Sequence, residues 1–321
     1  MVQAIKHVLV AVKDPAQRQQ HGVAKAAQIA QRCGAKLTLF HDIALPVYAG
    51  AGQLQQELRE RRLQELEVIA ARLRRHDLEV ATAAEWDYPT FEAILRHALK
   101  AQADLIVAEV HAGGRHRARW LLAYTDWELL RLSPLPVLLV KSPRLYHRPR
   151  ILAAVDPLHA YAKPARLDRA ILSIANELAI ALQGQLHVVH AYLPPVPFVP
   201  PLGTGPIIDM GSARDETRRD AAERLEATVA SFGIKRGRRH LESGHPTEVI
   251  PSVARDLSAG LVVMGAISRS GLKRFFIGNT AESVIDRLNC DILVVKPANF
   301  VARIPRAVRG ARIVAATYVP G

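Results

Sequence analysis

TDWELLRLSPLPVLLVKSP (125–143) returns later in the chain as TAESVIDRLNCDILVVKP (280–297). In each copy an amphipathic segment opening on threonine runs into a short apolar stretch that ends in lysine and proline. The apolar stretches, VLLV and ILVV, have no alternating polar positions, as expected of strands buried on both faces. The correspondence continues upstream. VLVAVKDP (8–15) lies over ILAAVDP (151–157), AKLTLFHDI (35–43) over GQLHVVHAY (184–192), DYPTFEAILRHA (87–98) over GHPTEVIPSVA (244–254), and ADLIVAEV (103–110) over GLVVMGA (260–266). A self-similarity this long means that one structural unit is built twice.

Each unit has the same order of elements. A first strand is followed by a helix (16–33; 164–183), a second strand (36–43; 185–192), a long helix (53–76; 212–232) and a third strand (78–85; 236–243). A shorter helix (89–101; 246–258), a fourth strand (104–110; 260–265), a helix (122–132; 278–288) and a final strand (136–141; 291–296) complete it. Strands alternating with helices give right-handed crossovers and a parallel sheet covered on both faces. The expected fold class is therefore α/β, as two tandem doubly wound, five-stranded, nucleotide-binding-like domains, 1–145 and 150–298, with a tail at 299–321. The two final strands are expected to pair, making a pseudo-dimer within one chain. The tail carries Arg303, Arg306, Arg309 and Arg312 with no acid; it reads as a poorly ordered terminus, with a basic stripe that docks on acidic surface or lipid as the rival reading. LPPVPFVPPLGTGPIIDMG (193–211) reads as a surface loop, because proline suits neither a helix interior nor a central strand. In the long helix 53–76, Leu54, Leu58, Leu63, Leu66, Ile69, Ala70 and Leu73 form one stripe, and the arginines opposite read as a solvated face.

The bulk composition sets the limits. The chain has 321 residues, 5% aromatics and a net charge of +13 with pI ≈ 10.1, and the excess divides as +6 in 1–149 and +7 beyond. A basic surface favours anionic partners, but no stacking motif, zinc finger or basic zipper predicts sequence-specific nucleic-acid reading. Cys33 and Cys290 make neither a CxxC nor a disulfide framework, and no run of 18 apolar residues occurs. Together these predict a cytoplasmic protein.

In an open parallel sheet, ligands bind at the carboxyl ends of strands where the strand order reverses. Here that means between the first and fourth strands. In the second half these strands end at Asp156-Pro157 and Met264-Gly265, and the next helix opens at Gly278-Asn279-Thr280. A carboxylate, flexible amides, a helix N-terminus and hydroxyls suit a nucleotide, with Asp156 toward the base or ribose and the amides toward the phosphates. The cations Arg269, Lys273 and Arg274 lie between. In the first half, Glu109 replaces Gly265 and Tyr124 replaces Asn279, so that crevice reads as obstructed. His41 and His190, at equivalent strand ends, read as lining their crevices. His111 and His116 sit among Arg115, Arg117 and Arg119. Zinc there would need further ligands such as His41 or Asp14, so no metal is expected beyond magnesium accompanying a bound nucleotide.

The spacing of Gly, two residues, Gly, nine residues, Gly-Ser/Thr, with Val-Asp after the first strand and a closing C-DILVVKP strand, resembles the universal stress proteins, in their tandem two-domain form. The resemblance covers roughly 1–298. It implies a stress-response protein that binds ATP through Asp156, Met264, Gly265, Ser268, Gly278, Asn279 and Thr280. This chain departs from the pattern at Ser268, where the family has glycine, and at Asn279, where it has Ser or Thr. Two rivals stand beside the nucleotide-responsive module. One is a scaffold that binds a lipid, another anion or a protein partner; the other is a slow ATPase or autophosphorylating enzyme. No Ser–His–Asp set, Walker loop or paired carboxylates support turnover. A homodimer is compatible with all three.

Overall fold

The computed structural model describes residues 4–48, 52–110, 124–158, 166–195, 210–266, 278–301, 304–310 and 312–314. The first half comprises β1 (His7–Ala11), α1 (His21–Cys33), β2 (Lys36–Asp42), β3 (Pro46–Tyr48), α2 (Gly52–Arg74), β4 (Val80–Glu85), α3 (Thr90–Lys100), β5 (Leu105–Glu109), α4 (Tyr124–Leu132) and β6 (Val137–Val140). The second comprises β7 (Arg150–Ala154), α5 (Arg166–Ala181), β8 (Gln185–Tyr192), α6 (Met210–Val229), β9 (Arg239–Ser243), α7 (Pro246–Asp256), β10 (Leu261–Gly265), α8 (Asn279–Arg287) and β11 (Asp291–Val295). A last short strand, β12 (Arg312–Val314), lies in the tail.

Ten strands form one sheet in the order β4-β2-β1-β5-β6-β11-β10-β7-β8-β9. Pairing within each half is parallel throughout. The halves meet through antiparallel β6 and β11, with Leu138 opposite Leu293. The expected pairing of final strands is therefore present, and the two sheets are one.

Because side chains alternate across a strand, each face carries its own core, and both cores run through the junction. Val8, Val10, Leu138, Leu293 and Val263 face α1, α2, α5 and α6. Leu9, Leu139, Ile292 and Val262 face α3, α4, α7 and α8. At about 1.5–3 kcal/mol per buried aliphatic side chain, the shared strands bind the halves together by the same term that folds each of them. A buried polar knot adds specificity. Asp291 Oδ2 accepts from Lys25 Nζ and from Tyr146 Oη (2.6 Å), and its Oδ1 accepts from the backbone N–H groups of Lys141 and Ser142, each at 2.9 Å. Asp291 is fully buried and Lys25 is 1% exposed. Lys141 Nζ donates to the carbonyls of Ile285 and Leu288 at 2.7 and 2.9 Å, closing the C-terminus of α8 from the other half.

The structure shifts several expected boundaries. Helix α1 starts at His21 rather than 16, because Asp14 Oδ1 takes the Ala16 N–H in an Asx turn (3.1 Å) and Gln20 Nε2 donates to the carbonyls of Asp14, Pro15 and Gln17. On α2, Leu54 is 57% exposed rather than part of the stripe. The α2 arginines are also not merely solvated: Arg59 Nε donates to Ala84 O and Arg74 Nε to Val80 O, each at 3.0 Å. Both carbonyls belong to β4, an edge strand whose outer carbonyls would otherwise be open to pairing.

The tail follows the rival reading, a basic segment docked on acidic surface. It crosses to the first half, where β12 pairs in parallel with β3. Arg309 donates its backbone N–H to Asp87 Oδ1 (2.9 Å) and its guanidinium to Glu92 (3.1 Å), while Arg96 donates to Pro305 O (3.0 Å). Arg96 in turn grips Asp87 at 2.6 Å and Glu92 at 2.9 Å. An acidic seat 1% exposed at Asp87 supplies what the tail's arginines lack in their own segment. The loop 193–211 lies outside the described residues over 196–209.

Beside this seat, Asp42 ends β2 with both carboxylate oxygens sealed from water. Burial, reinforced by the charge of Asp87, raises its pKa to about 7 from 3.8. A folded-state value above the unfolded one means that the stabilising contribution is complete below about pH 4 and is lost as pH rises through about 7. Asp42→Asn is therefore expected to match wild type at pH 4 and to be more stable by on the order of 2–4 kcal/mol at pH 8. Urea midpoints across that range measure it, and parallel curves for the two proteins would refute it.

Candidate functional site

The sheet places β7 beside β10, with Ala154 opposite Met264, so Asp156, Met264 and Gly265 meet at one gap in the carboxyl edge. Here the strand order reverses, as the sequence predicted. All three residues are buried, Asp156 at 5% and Met264 at 4% exposed. The Asp156 N–H donates to Asp168 Oδ1 (3.0 Å), which ties the end of β7 to the first turn of α5. Ser268, with Arg269, Lys273 and Arg274, lies outside the described residues, as do His111 and His116.

Helix α8 opens just beyond. Gly278 is its N-cap with φ 99°, a conformation that L side chains rarely adopt. A glycine cap brings no side-chain oxygen, so the first-turn amides of α8 are not capped from that position. Asn279 is exposed and Thr280 half-buried. The acid of the first turn, Glu282, is held by Arg131 of α4 at 3.3 Å, across the junction.

Gly265 is required for a different reason. A Cβ there would fall 2.5 Å from Leu167 Cδ2 and 3.3 Å from Ile171 Cδ1 of α5. Its smallness lets the helix close on the strand, so packing alone explains this glycine. The first half solves the same contact in reverse. There the helix carries the glycine, Gly22, and the strand carries Glu109, whose Cβ would sit 3.0 Å from a Cβ on Gly22.

That exchange changes the chemistry of the crevice. Glu109 Oε2 accepts the Gly22 N–H at the start of α1 (2.8 Å). On the other side, Lys13 pairs with Asp126 in the first turn of α4 at 3.5 Å, and Asp126 is 1% exposed. The space lined by Val12, Lys13, Asp14, Gly22 and Glu109 has a volume of only about 10 Å³, the scale of a single water. In the first half, then, the chain's own carboxylates occupy the helix N-termini where an anion would sit. In the second, their counterparts are Gly265 and Ala281. Tyr124 is not the obstruction that the sequence implied: it is 68% exposed and lies edge-on to Phe91 at 6.0 Å. The functional signal missed in the sequence was the pairing of Glu109 with Gly22 and of Lys13 with Asp126. Its visible traces were Glu109 in the place of Gly265 and the inserted Lys13 before Asp14.

His41 and His190 occupy matching places. Each is buried and places Nδ1 against the carbonyl that follows the first strand, Val12 O at 2.8 Å and Val155 O at 3.3 Å. They brace the strand ends rather than present themselves to a ligand. Among the described residues, no group of three or more His, Cys, Asp or Glu could hold a metal ion, and no helix is long and apolar enough to cross a membrane.

The universal stress protein family model matches the chain twice, over 4–141 and 147–296. The chain belongs to the universal stress protein family. It is 32% identical over 306 residues to universal stress protein E of Escherichia coli K12, covering 91% of this chain and 94% of that protein. It is 26% identical over 306 residues to the universal stress protein E homolog of Haemophilus influenzae, covering 91% of this chain and 98% of that one. A functionally unknown protein from Pseudomonas aeruginosa PAO1 superposes with a TM-score of 0.74 at 27% identity, over 93% and 95% of the two chains. A universal stress protein from Archaeoglobus fulgidus has a TM-score of 0.65 at 17% identity, over 90% and 98%, which is a likeness of fold. The tandem universal stress protein layout thus covers nearly the whole chain. Within it, the two crevices have diverged in charge.

Proposed function

We propose that this universal stress protein is a nucleotide-responsive binding module, with ATP and its magnesium taken by the second half alone. The observation that carries this reading is the loss of carboxylates. The first half fills its anion positions with Glu109 and Asp126, whereas the second has Gly265 and Ala281 there and a glycine cap on α8. The one first-turn acid of α8, Glu282, is held by Arg131, and a helix N-terminus whose carboxylate is paired elsewhere favours a bound phosphate. Gly278, Asn279 and Thr280 would face the phosphates. Asp156, with Met264 and Gly265 at the strand ends, would lie toward the nucleoside, and Ser268 would contribute from the intervening loop. Magnesium would neutralise part of the phosphate charge. No general base is assigned, and the module acts by changing its associations when the nucleotide binds. The first half serves as a closed structural partner.

Calorimetry on the intact protein tests the reading. One ATP per chain is expected, with affinity reduced when magnesium is withdrawn. Two sites per chain, or no heat at millimolar ATP, would overturn it.

A further inference from the structure

We propose that the docked tail completes a second ligand site in the first half, a cleft for a small planar aromatic anion such as an arene carboxylate. The cleft lies between the tail and the outer edge of the first half, encloses about 740 Å³ and is separate from the crevice at Asp156. That volume is in the range of small-molecule sites. Its floor is Trp86, half-buried, with its indole N–H fixed on Gln55 O at 3.0 Å. Leu99 (44% exposed) and Val308 (58% exposed) turn apolar surface into the same cleft, one from α3 and one from the tail. A concave surface with exposed aliphatic groups beside an indole favours a flat apolar body.

The charges around it select the sign. Of the polar lining, Glu85 is paired with His97 at 3.0 Å, and Arg96 with Asp87 and Glu92. Glu85 keeps its charge unless His97 is protonated, so Arg59, Lys100 and Arg306 leave the cleft positive by two. They come from α2, α3 and the tail, so only the docked tail brings them to one place. Three cations around an apolar floor attract an anion and hold its charged end at the rim. The second half provides an internal control. In the aligned repeat, Glu242 matches Glu85, but Ser243 stands for Trp86 and Leu257 for Lys100. The fold therefore needs neither the indole nor the cation at these places.

The test uses 1-naphthoate as probe, followed by calorimetry and by quenching of tryptophan fluorescence in the full-length protein. Saturable binding is expected, with the neutral 1-naphthalenemethanol at least about tenfold weaker. The double charge reversal Lys100→Glu with Arg306→Glu, both exposed side chains, should weaken 1-naphthoate by a similar factor while leaving the circular dichroism unchanged. Trp86→Phe should remove most of the quenching. The idea fails if the neutral analogue binds equally well, if the charge reversal has no effect, or if ATP competes for the probe, since competition would place it in the second half.

Discussion

Asp291→Ala is expected to lower the stability of the whole chain by about 3–5 kcal/mol, the usual cost of removing one partner from a buried ion pair. The carboxylate is fully buried and meets four donors, from Lys25, Tyr146 and the backbones of Lys141 and Ser142. Without it, an ammonium 1% exposed is left uncompensated and two backbone N–H groups lose their acceptor. The Tyr146 hydroxyl, whose pKa burial and then Asp291 hold well above its ordinary value, loses its acceptor too. Asp291→Asn keeps the shape and not the charge, so it should cost nearly as much. Adding Lys25→Met to Asp291→Asn should recover a large part, because the desolvation penalty leaves with the charge. Urea unfolding with coupled single and double variants measures each step. A shift below 1 kcal/mol for Asp291→Ala would show that the knot contributes little. A double variant no better than Asp291→Asn would show that the lysine was not the source of the loss.

Ala281→Asp should abolish ATP binding in the second half, by about 100-fold or more. The substitution installs at α8 the carboxylate that Asp126 supplies at α4. Two like charges about 4 Å apart near a protein surface repel by roughly 4 kcal/mol, well above the 2.7 kcal/mol of a hundredfold change. Ala281 is 7% exposed and packs in the core under α8, so a carboxylate there also costs stability, offset in part by its place in a first helical turn. Binding is compared at a temperature where thermal melts show both proteins folded. It is a cleaner probe than Gly278→Val, which would force a branched side chain to φ 99° and disturb the turn whatever binds there. Calorimetry against wild type, with matched thermal melts, decides it. Undiminished ATP affinity in a folded Ala281→Asp protein would place the phosphates elsewhere.

The repeat made the architecture legible without coordinates. VLLV over ILVV and LTLFHD over LHVVHA are local patterns, and a strand buried on both faces announces itself by composition alone. The alternation of strand and helix then leaves few topologies, so the ten-stranded sheet and its central antiparallel seam were within reach of the residues. Asp156, Met264 and Gly265 could likewise be brought to one gap from strand order.

Other features depended on contacts between segments distant in sequence. Glu109 reads as an obstruction in the sequence and is a helix cap in the fold, because its partner Gly22 lies 87 positions away. Gly265 reads as a phosphate glycine and is at least a packing glycine, because Leu167 and Ile171 press against it. The tail reads either as a loose terminus or as a basic stripe that docks on acidic surface, and only the fold shows the seat, formed by Asp87, Glu92 and Arg96 more than 200 positions upstream. The sequence by itself determined the two α/β units, their order and the end of the sheet at which a ligand would bind, since these follow from local periodicity and chain connectivity. Only the tertiary structure decided which crevice holds its own carboxylates and where the tail rests. A charge or a small side chain acquires its role from what packs against it, and that neighbour is set by the fold rather than by position in the chain.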